Sequence, residues 1–315
     1  MKESMAELKN LPLVSAVIPT YRRPELVLRA VNCCLAQTYP NMEVVVVVDG
    51  PDAEVEAVLA AVNDDRLQVV VNPVNSGQAQ CRNLGVRHAR GEWIAFLDDD
   101  DFWLPEKIEK QMAVGMRIDS PCVLVVCKCI DQAPQGERIL PYKFPSGTEK
   151  FSEYLFCERG SLMPCTWLVT RDLMLKVPFI PFIFRMAIED QEWLLRACAW
   201  EETKLGTVEE PLAIYNNMDF GIRETKKGSW ELLNLWGLTN RKFFTPKAFC
   251  YFMMTYCITR ARQNKAGLRV YLYLISTALL LGSVRPRTVL YLIAYLILPG
   301  TKRRAIRQWL AARRA

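Results

Sequence analysis

Trp93-Ile94-Ala95-Phe96-Leu97-Asp98-Asp99-Asp100-Asp101-Phe102-Trp103 changes character at its midpoint, where five apolar residues run into four carboxylates. The apolar half is too short for a helix and reads as a buried strand. The acidic half then falls at the carboxyl end of that strand, where open α/β sheets bind their ligands. Four adjacent carboxylates repel one another unless something positive neutralises them. Two readings follow: a solvated acidic turn that only ends a strand, or a divalent cation site, since hard cations take carboxylate oxygens.

The flanking sequence supplies the rest of a sheet. Upstream, Leu13 to Ile18 is a predicted strand, broken by Pro19-Thr20-Tyr21. Pro24 opens a helix to about Gln37, because its missing N–H has no partner in a first turn anyway. Glu43 to Val48 is a second strand, and its unbroken valine run suits a buried parallel sheet. It ends at Asp49-Gly50. A short helix from about Ala53 to Val62, a strand at 67–71 and a helix at 78–89 lead back to Trp93. This alternation is a doubly wound α/β pattern. Neither G-x-G-x-x-G nor G-x-x-x-x-G-K-[ST] is present, which disfavours a dinucleotide-binding dehydrogenase or a P-loop enzyme. Downstream, 105–116 reads as a helix, 122–127 as a strand and 131–150 as a loop with at most a short strand at 138–140. A helix at 151–157, a strand at 165–169, a helix at 188–200 opening on Glu189-Asp190-Gln191-Glu192, and a strand at 212–215 follow. Acidic residues in a first turn also favour the helix dipole, so capping alone accounts for either carboxylate taken singly.

Charge is divided along the chain. From Arg241 onward there are 15 Lys and Arg and no acid, whereas residues 1–240 carry 25 basic and 34 acidic residues. Such a split implies different partners for the two parts. Eleven cysteines form no C-x-x-C pair, and there is a single histidine, His88. Scattered thiols within apolar runs fit packing roles in a reducing compartment. Residues 1–10 are polar and are expected to be neither a signal peptide nor an anchor.

Read in order, Pro19-Thr20-Tyr21, Asp49-Gly50, Asn75-x-Gly77, Arg82-Asn83-x-Gly85, Phe96-Leu97-Asp98-Asp99-Asp100-Asp101 and, about 90 residues later, Glu189-Asp190 with Trp193-Leu194-x-Arg196 form a set. The set resembles the family 2 glycosyltransferases over roughly residues 12–216. That resemblance implies the GT-A fold: an α/β, mostly parallel twisted sheet flanked by helices. Here it would span 1–240, with a nucleotide-sugar half at about 12–120 and an acceptor half at about 121–220. It also implies transfer of a sugar from a nucleotide diphosphate to an acceptor hydroxyl with inversion.

Site roles follow from the same resemblance. Asp100 would ligate Mn2+ or Mg2+, and Asp98 would face the ribose or coordinate through water. Asp99 is grouped with the donor-binding residues, or else points away. Pro19, Thr20 and Tyr21 would line the base and ribose pocket. Asp49 would accept from the base, which favours UDP- or dTDP-sugars, although Val48 stands where many members carry a second aspartate. Arg82 would offset phosphate charge or hold the base edge. Asp190 would be the general base, with Glu189 as its alternative. Arg196 would orient this cluster or pair with phosphate, and Trp193 would be core.

Residues 241–315 lie outside the family core. Two apolar runs, 268–284 and 289–298, are flanked by cations, and neither reaches the roughly 20 residues a spanning helix needs. They are expected to lie against an anionic membrane surface, or to pack as a helical subdomain with a basic face. The expected setting is cytoplasmic, peripheral at the inner face of the plasma membrane, with a glycan or lipid-linked acceptor and no nucleic acid. Alternatives are a sugar nucleotidyltransferase, disfavoured by the glycine-free turn 19–23, and a non-catalytic nucleotide-sugar-binding protein.

Overall fold

The computed structural model describes residues 11–146, 150–158, 160–181, 188–218 and 228–282. The chain forms two compact units, 1–228 and 229–315. The division falls before the helix at 230–239.

The first unit is built on a nine-stranded sheet flanked by helices. Strands β1 (Val14–Thr20), β2 (Met42–Asp49), β3 (Leu67–Asn72) and β4 (Trp93–Phe96) pair parallel with one another in the order β3-β2-β1-β4. β1 and β2 are buried along their whole length, as their unbroken apolar character requires. Between these strands run α1 (Pro24–Leu35), α2 (Ala53–Ala60) and α3 (Gln78–His88). Close packing of α3 on β1 depends on Gly85, where a Cβ would stand 2.3 Å from Val17 Cγ1. That contact sets the height of Arg82 above the strand ends.

Beyond β4 the pairing is mixed. A two-residue strand β5 (Phe102–Trp103) precedes α4 (Lys107–Gly115), and β6 (Val123–Ala133) with β7 (Gly136–Leu140) forms a hairpin. α5 (Phe151–Phe156) leads on to β8 (Trp167–Thr170), which joins β4 to β6 by antiparallel pairing. After α6 (Arg171–Lys176) and α7 (Glu189–Ala197), β9 (Lys204–Asn216) runs parallel to β6 and antiparallel to β5.

Three sequence expectations are corrected here. The strand expected at 122–127 continues to Ala133, and the expected loop 131–150 holds the β6–β7 hairpin. The strand expected at 212–215 begins at Lys204 and passes Glu209, Glu210 and Pro211 through a bulge opposite Cys127 to Cys129. A bulge lets a proline and two exposed acids sit in a strand without breaking it. β5 was not expected at all.

All eleven cysteines are free thiols, nine of them buried. The second unit contains α8 (Trp230–Thr239), α9 (Pro246–Phe252), a π turn at Met253–Cys257, α10 (Ile258–Gln263) and α11 (Leu268–Leu281). Its core is aromatic: Trp236 meets Phe244 and Phe252 edge-on, at 5.8 and 5.3 Å between ring centres. Among the described residues no helix is long and apolar enough to cross a membrane. The apolar run 289–298 and residues 1–10 lie outside the described residues.

Candidate active site

The four aspartates occupy the turn from β4 to β5, and their side chains diverge. Asp98 accepts from Arg82 Nη2 at 2.7 Å and from Gln78 Nε2 at 2.6 Å, both on the first turns of α3. Asp99 is only 5% exposed. It accepts from Thr20 Oγ1 at the end of β1 and from Arg23 Nη1, each at 2.8 Å. Burial pushes its carboxyl up to about 6, with Arg23 and the Thr20 hydroxyl pulling the other way and the Asp100 charge adding to the rise. Asp100 is partly exposed, and Arg23 Nη1 approaches it at 3.3 Å while Arg29 Nη2 donates to its backbone carbonyl. Asp101 is 1% exposed and accepts the backbone N–H of Asn216 at 2.9 Å, which ties the turn to the end of β9. Burial, then the charges of Asp98 and Asp100, push it well above the carboxylate range.

Opposite the turn stands the N-terminus of α7. Asp190 accepts from Arg82 Nη1 at 3.1 Å, so one buried guanidinium bridges Asp98 and Asp190, 92 positions apart in the sequence. Burial opposes the Arg82 charge, but the two carboxylates outweigh it and the pKa stands above the ordinary arginine value. The guanidinium lies over the Phe179 ring, 5.2 Å from its centre. Glu189 is pushed up to about 7 by burial and by the Asp190 charge, with Arg82 holding it down and Asp98 adding to the rise.

Asp49, at the end of β2, organises a loop. Its Oδ1 accepts from Asn72 Nδ2 at 3.1 Å and from Ser76 N at 2.8 Å, and its Oδ2 accepts from Gly77 N at 2.9 Å. Gly77 has φ of 86°, a conformation that favours glycine. Pro19 lies within β1, and Tyr21 just beyond it is 44% exposed with Arg22 over its ring at 5.1 Å. The structure therefore brings Thr20, Arg82, Asp98, Asp99, Asp100, Glu189 and Asp190 to one end of the sheet, with Asp49 at the neighbouring strand end. Arg196 pairs with Glu192 and donates to the Pro178 carbonyl at 2.9 Å, so its bonds go to α7 itself and to the chain ahead of it. Trp193 is fully buried, stacked on Trp167 at 4.8 Å. His88 is exposed late in α3. Sequence reasoning missed Gln78 and Arg23, the polar partners of this turn; a cation just after β1 was their one available signal.

The side chains of the turn, Asp98 to Asp101, offer carboxylate oxygens, the chemistry that Mg2+ and Mn2+ prefer. Arg23 already sits against Asp99 and Asp100 as a cationic stand-in. Among the described residues no three acidic, thiol or imidazole groups stand ready-grouped around one point. Asp98 and Asp100 thus fit a divalent ion by donor type, with completion of the shell left to a ligand such as a diphosphate.

A family model described as "Glycosyl transferase family 2" matches residues 15–174. The chain belongs to that family. Among curated relatives, a putative colanic acid biosynthesis glycosyl transferase, WcaA of Escherichia coli K12, is 36% identical over 108 residues, covering 34% of this chain and 39% of the relative. An amylovoran biosynthesis glycosyltransferase, AmsB of Erwinia amylovora, is 26% identical over 254 residues, covering 75% and 82%. The match to WcaA thus spans about two fifths of that relative's length. Among solved structures, S. aureus TarS shares the fold with a TM-score of 0.58 at 18% identity, over 87% of this chain and 50% of TarS. A shorter TarS in complex with UDP-GlcNAc gives 0.53 at 17%, over 84% and 71%. A Pyrobaculum calidifontis mannosyltransferase in complex with GDP-Man and Mn2+ gives 0.50 at 16%, over 96% and 84%.

Proposed function

We propose that this protein is a metal-dependent, inverting glycosyltransferase that moves a sugar from a nucleotide diphosphate to a hydroxyl of a glycan or lipid-linked acceptor. The observation that carries the reading is the pairing of Asp98 and Asp190 on one buried arginine. It sets a carboxylate of the donor wall opposite a carboxylate on a separate helix, at the ligand-binding end of the sheet.

Asp98 and Asp100 would hold the divalent ion, which would supply Lewis-acid stabilisation of the leaving diphosphate. Arg23, half-exposed and paired with Asp99 and Asp100, is the cation assigned to the phosphate oxygens. Asp190 receives the proton of the attacking hydroxyl on the opposite face, as inversion requires, and Glu189 stands next to it as the alternative base. Thr20 and Tyr21 border the nucleoside. Asp49, at the end of β2 and bonded to the backbone of Ser76 and Gly77, is the carboxylate assigned to a uracil or thymine imide N–H. The polysaccharide-biosynthesis names of the relatives support a surface-glycan product. Calorimetric titration with UDP, dTDP and GDP in the presence of Mn2+ tests the donor class. Uridine or thymidine nucleotides are expected to bind at least tenfold more tightly than GDP, and the reverse order would remove the role given to Asp49.

The second unit is assigned to an anionic membrane surface on the cytoplasmic side, where its free thiols stay reduced. Leu268, Leu272 and Leu279 lie exposed along one face of α11, with Lys265 and Arg269 exposed at its start. Apolar residues beside cations are what interfacial helices present to lipid. Sedimentation with phosphatidylglycerol-containing vesicles is expected to fall at least tenfold in a Leu272→Glu, Leu279→Glu variant. Unchanged sedimentation would reject the face, and equal binding to neutral vesicles would reject the charge component.

A further inference from the structure

Glycosyl transfer by opposed carboxylates needs Asp190 held at a fixed distance from Asp98, yet the two arrive on elements far apart in the chain. α7 is approached by the segment 177–179, and three consecutive carbonyls of that segment are each taken by a side chain. Trp193 Nε1 donates to Val177 O at 2.7 Å, and Arg196 Nη2 donates to Pro178 O at 2.9 Å, both from α7. Asn83 Nδ2, from α3, donates to Phe179 O at 2.8 Å. The same amide completes the pair, because Asn83 Oδ1 accepts the Phe179 N–H at 3.0 Å. One edge of a primary amide presents an N–H donor beside the carbonyl acceptor, so this side chain pairs with a backbone residue as a neighbouring strand would.

The neighbouring residue acts on the same region. Successive helical residues point in different directions, so Arg82 and Asn83 reach different targets from one turn of α3. Arg82 bonds Asp190 directly and covers the Phe179 ring. That ring packs flat against Trp193, 5.6 Å between centres, and Trp193 in turn stacks on Trp167. Contacts therefore run in a closed circuit: α3 to the segment through Asn83, the segment to α7 through Trp193 and Arg196, and α7 back to α3 through Asp190 and Arg82. Gly85, two residues on, fixes α3 itself against β1.

We propose that Asn83 is a positioning residue which, with Arg82, locks the segment 177–179 and thereby sets the Asp190 carboxylate opposite Asp98. The proposal rests on the glycosyl-transfer reading for its consequence in rate, and on the bond circuit alone for its consequence in structure. Asn83 is buried and both its nitrogen and its oxygen bond Phe179, so the role assigned to it acts through Asp190 and not on the donor.

The test uses the full-length protein with Asn83→Ala and Asn83→Asp, the second keeping the acceptor half of the pair. Three quantities are read: turnover of UDP-glucose and GDP-mannose with Mn2+, affinity for UDP with Mn2+, and hydrogen exchange at the Phe179 and Glu192 amides. Expected for Asn83→Ala is a fall of at least tenfold in kcat, with UDP affinity and donor KM within twofold of the parent and at least tenfold faster exchange at Phe179. Asn83→Asp should fall between parent and alanine. Wild-type kcat with a deprotected Phe179 amide would overturn the proposal, as would equal losses in kcat and UDP affinity, the mark of a merely structural residue. If the parent turns over neither nucleotide sugar, the transferase reading loses support and exchange alone judges the lock. Faster exchange at both amides in both variants would then uphold it, and unchanged exchange would overturn it.

Discussion

The two ends of the central strands carry buried carboxylates, and they treat them in opposite ways. At the amino end, Glu43 of β2 accepts from Ser15 Oγ of β1 at 2.6 Å, from Arg90 N at 2.6 Å and from Arg90 Nε at 2.7 Å, and Ser15 Oγ in turn accepts from Gly91 N at 2.9 Å. One acid thus ties the starts of β1 and β2 to the turn before β4. Burial opposes its charge, but the serine and arginine bonds more than offset that, and its carboxyl lies below the usual glutamate value. At the carboxyl end, six carboxyl groups (Asp98 to Asp101, Glu189 and Asp190) gather around Arg23 and Arg82, and Asp99, Asp101 and Glu189 are all pushed upward. A closed charge balance marks a structural clamp. An open one accords with the proposal that a ligand brings positive charge to this end.

Changes at each end should therefore separate stability from activity. The largest effect is expected from Asp190→Asn at the open end: transfer falls by about 10³-fold, as loss of a general base implies, while affinity for UDP with Mn2+ stays within about threefold. Normal transfer in that variant would move the base to Glu189. Next is Glu43→Ala at the closed end, which strands the Ser15 hydroxyl and the Arg90 N–H and should cost about 2 kcal/mol in urea unfolding. Its nucleotide affinity should not change, and a matched loss of both would erase the contrast between the ends.

The smallest effect is a pH dependence. Glu189 binds its proton more tightly in the fold, at about 7, than its ordinary value of 4.5. Between those two values the folded state holds the extra proton, so stability falls as pH rises through that window and stays reduced above it. Glu189→Gln should flatten this decline and gain on the order of 1 kcal/mol at pH 8. A decline of the same size in the variant would place its origin elsewhere, with Asp99 the next group to examine.

Much of this arrangement was legible in the sequence because its signals are local. The valine run of β2 and the abrupt stop at Asp98 each declare a buried strand and its end. β5 was not legible, since two residues carry no periodicity and its existence depends on pairing with Ile214 and Ala213. The start of β9 was hidden by Glu209, Glu210 and Pro211, which read as a loop until the bulge opposite β6 accommodates them. At the site, residue types could be read but not their partners. Arg82 was expected to approach the donor, and its bonds go to Asp98 and Asp190, a choice made by the packing of α3 and α7 on the sheet. Glu43 sat in a valine strand as an unexplained charge until Ser15 and Arg90 were brought beside it.

The contrast between the two ends depends most on the claim that the open end awaits a metal-bound diphosphate. Calorimetric titration of UDP into the full chain, with Mn2+ and again with excess chelator, tests it directly in the parent and in Asp100→Asn. Binding that requires Mn2+ in the parent, and that weakens at least tenfold in Asp100→Asn, is the predicted result. Equal affinity with and without chelator, or full metal-dependent affinity in Asp100→Asn, would contradict the account.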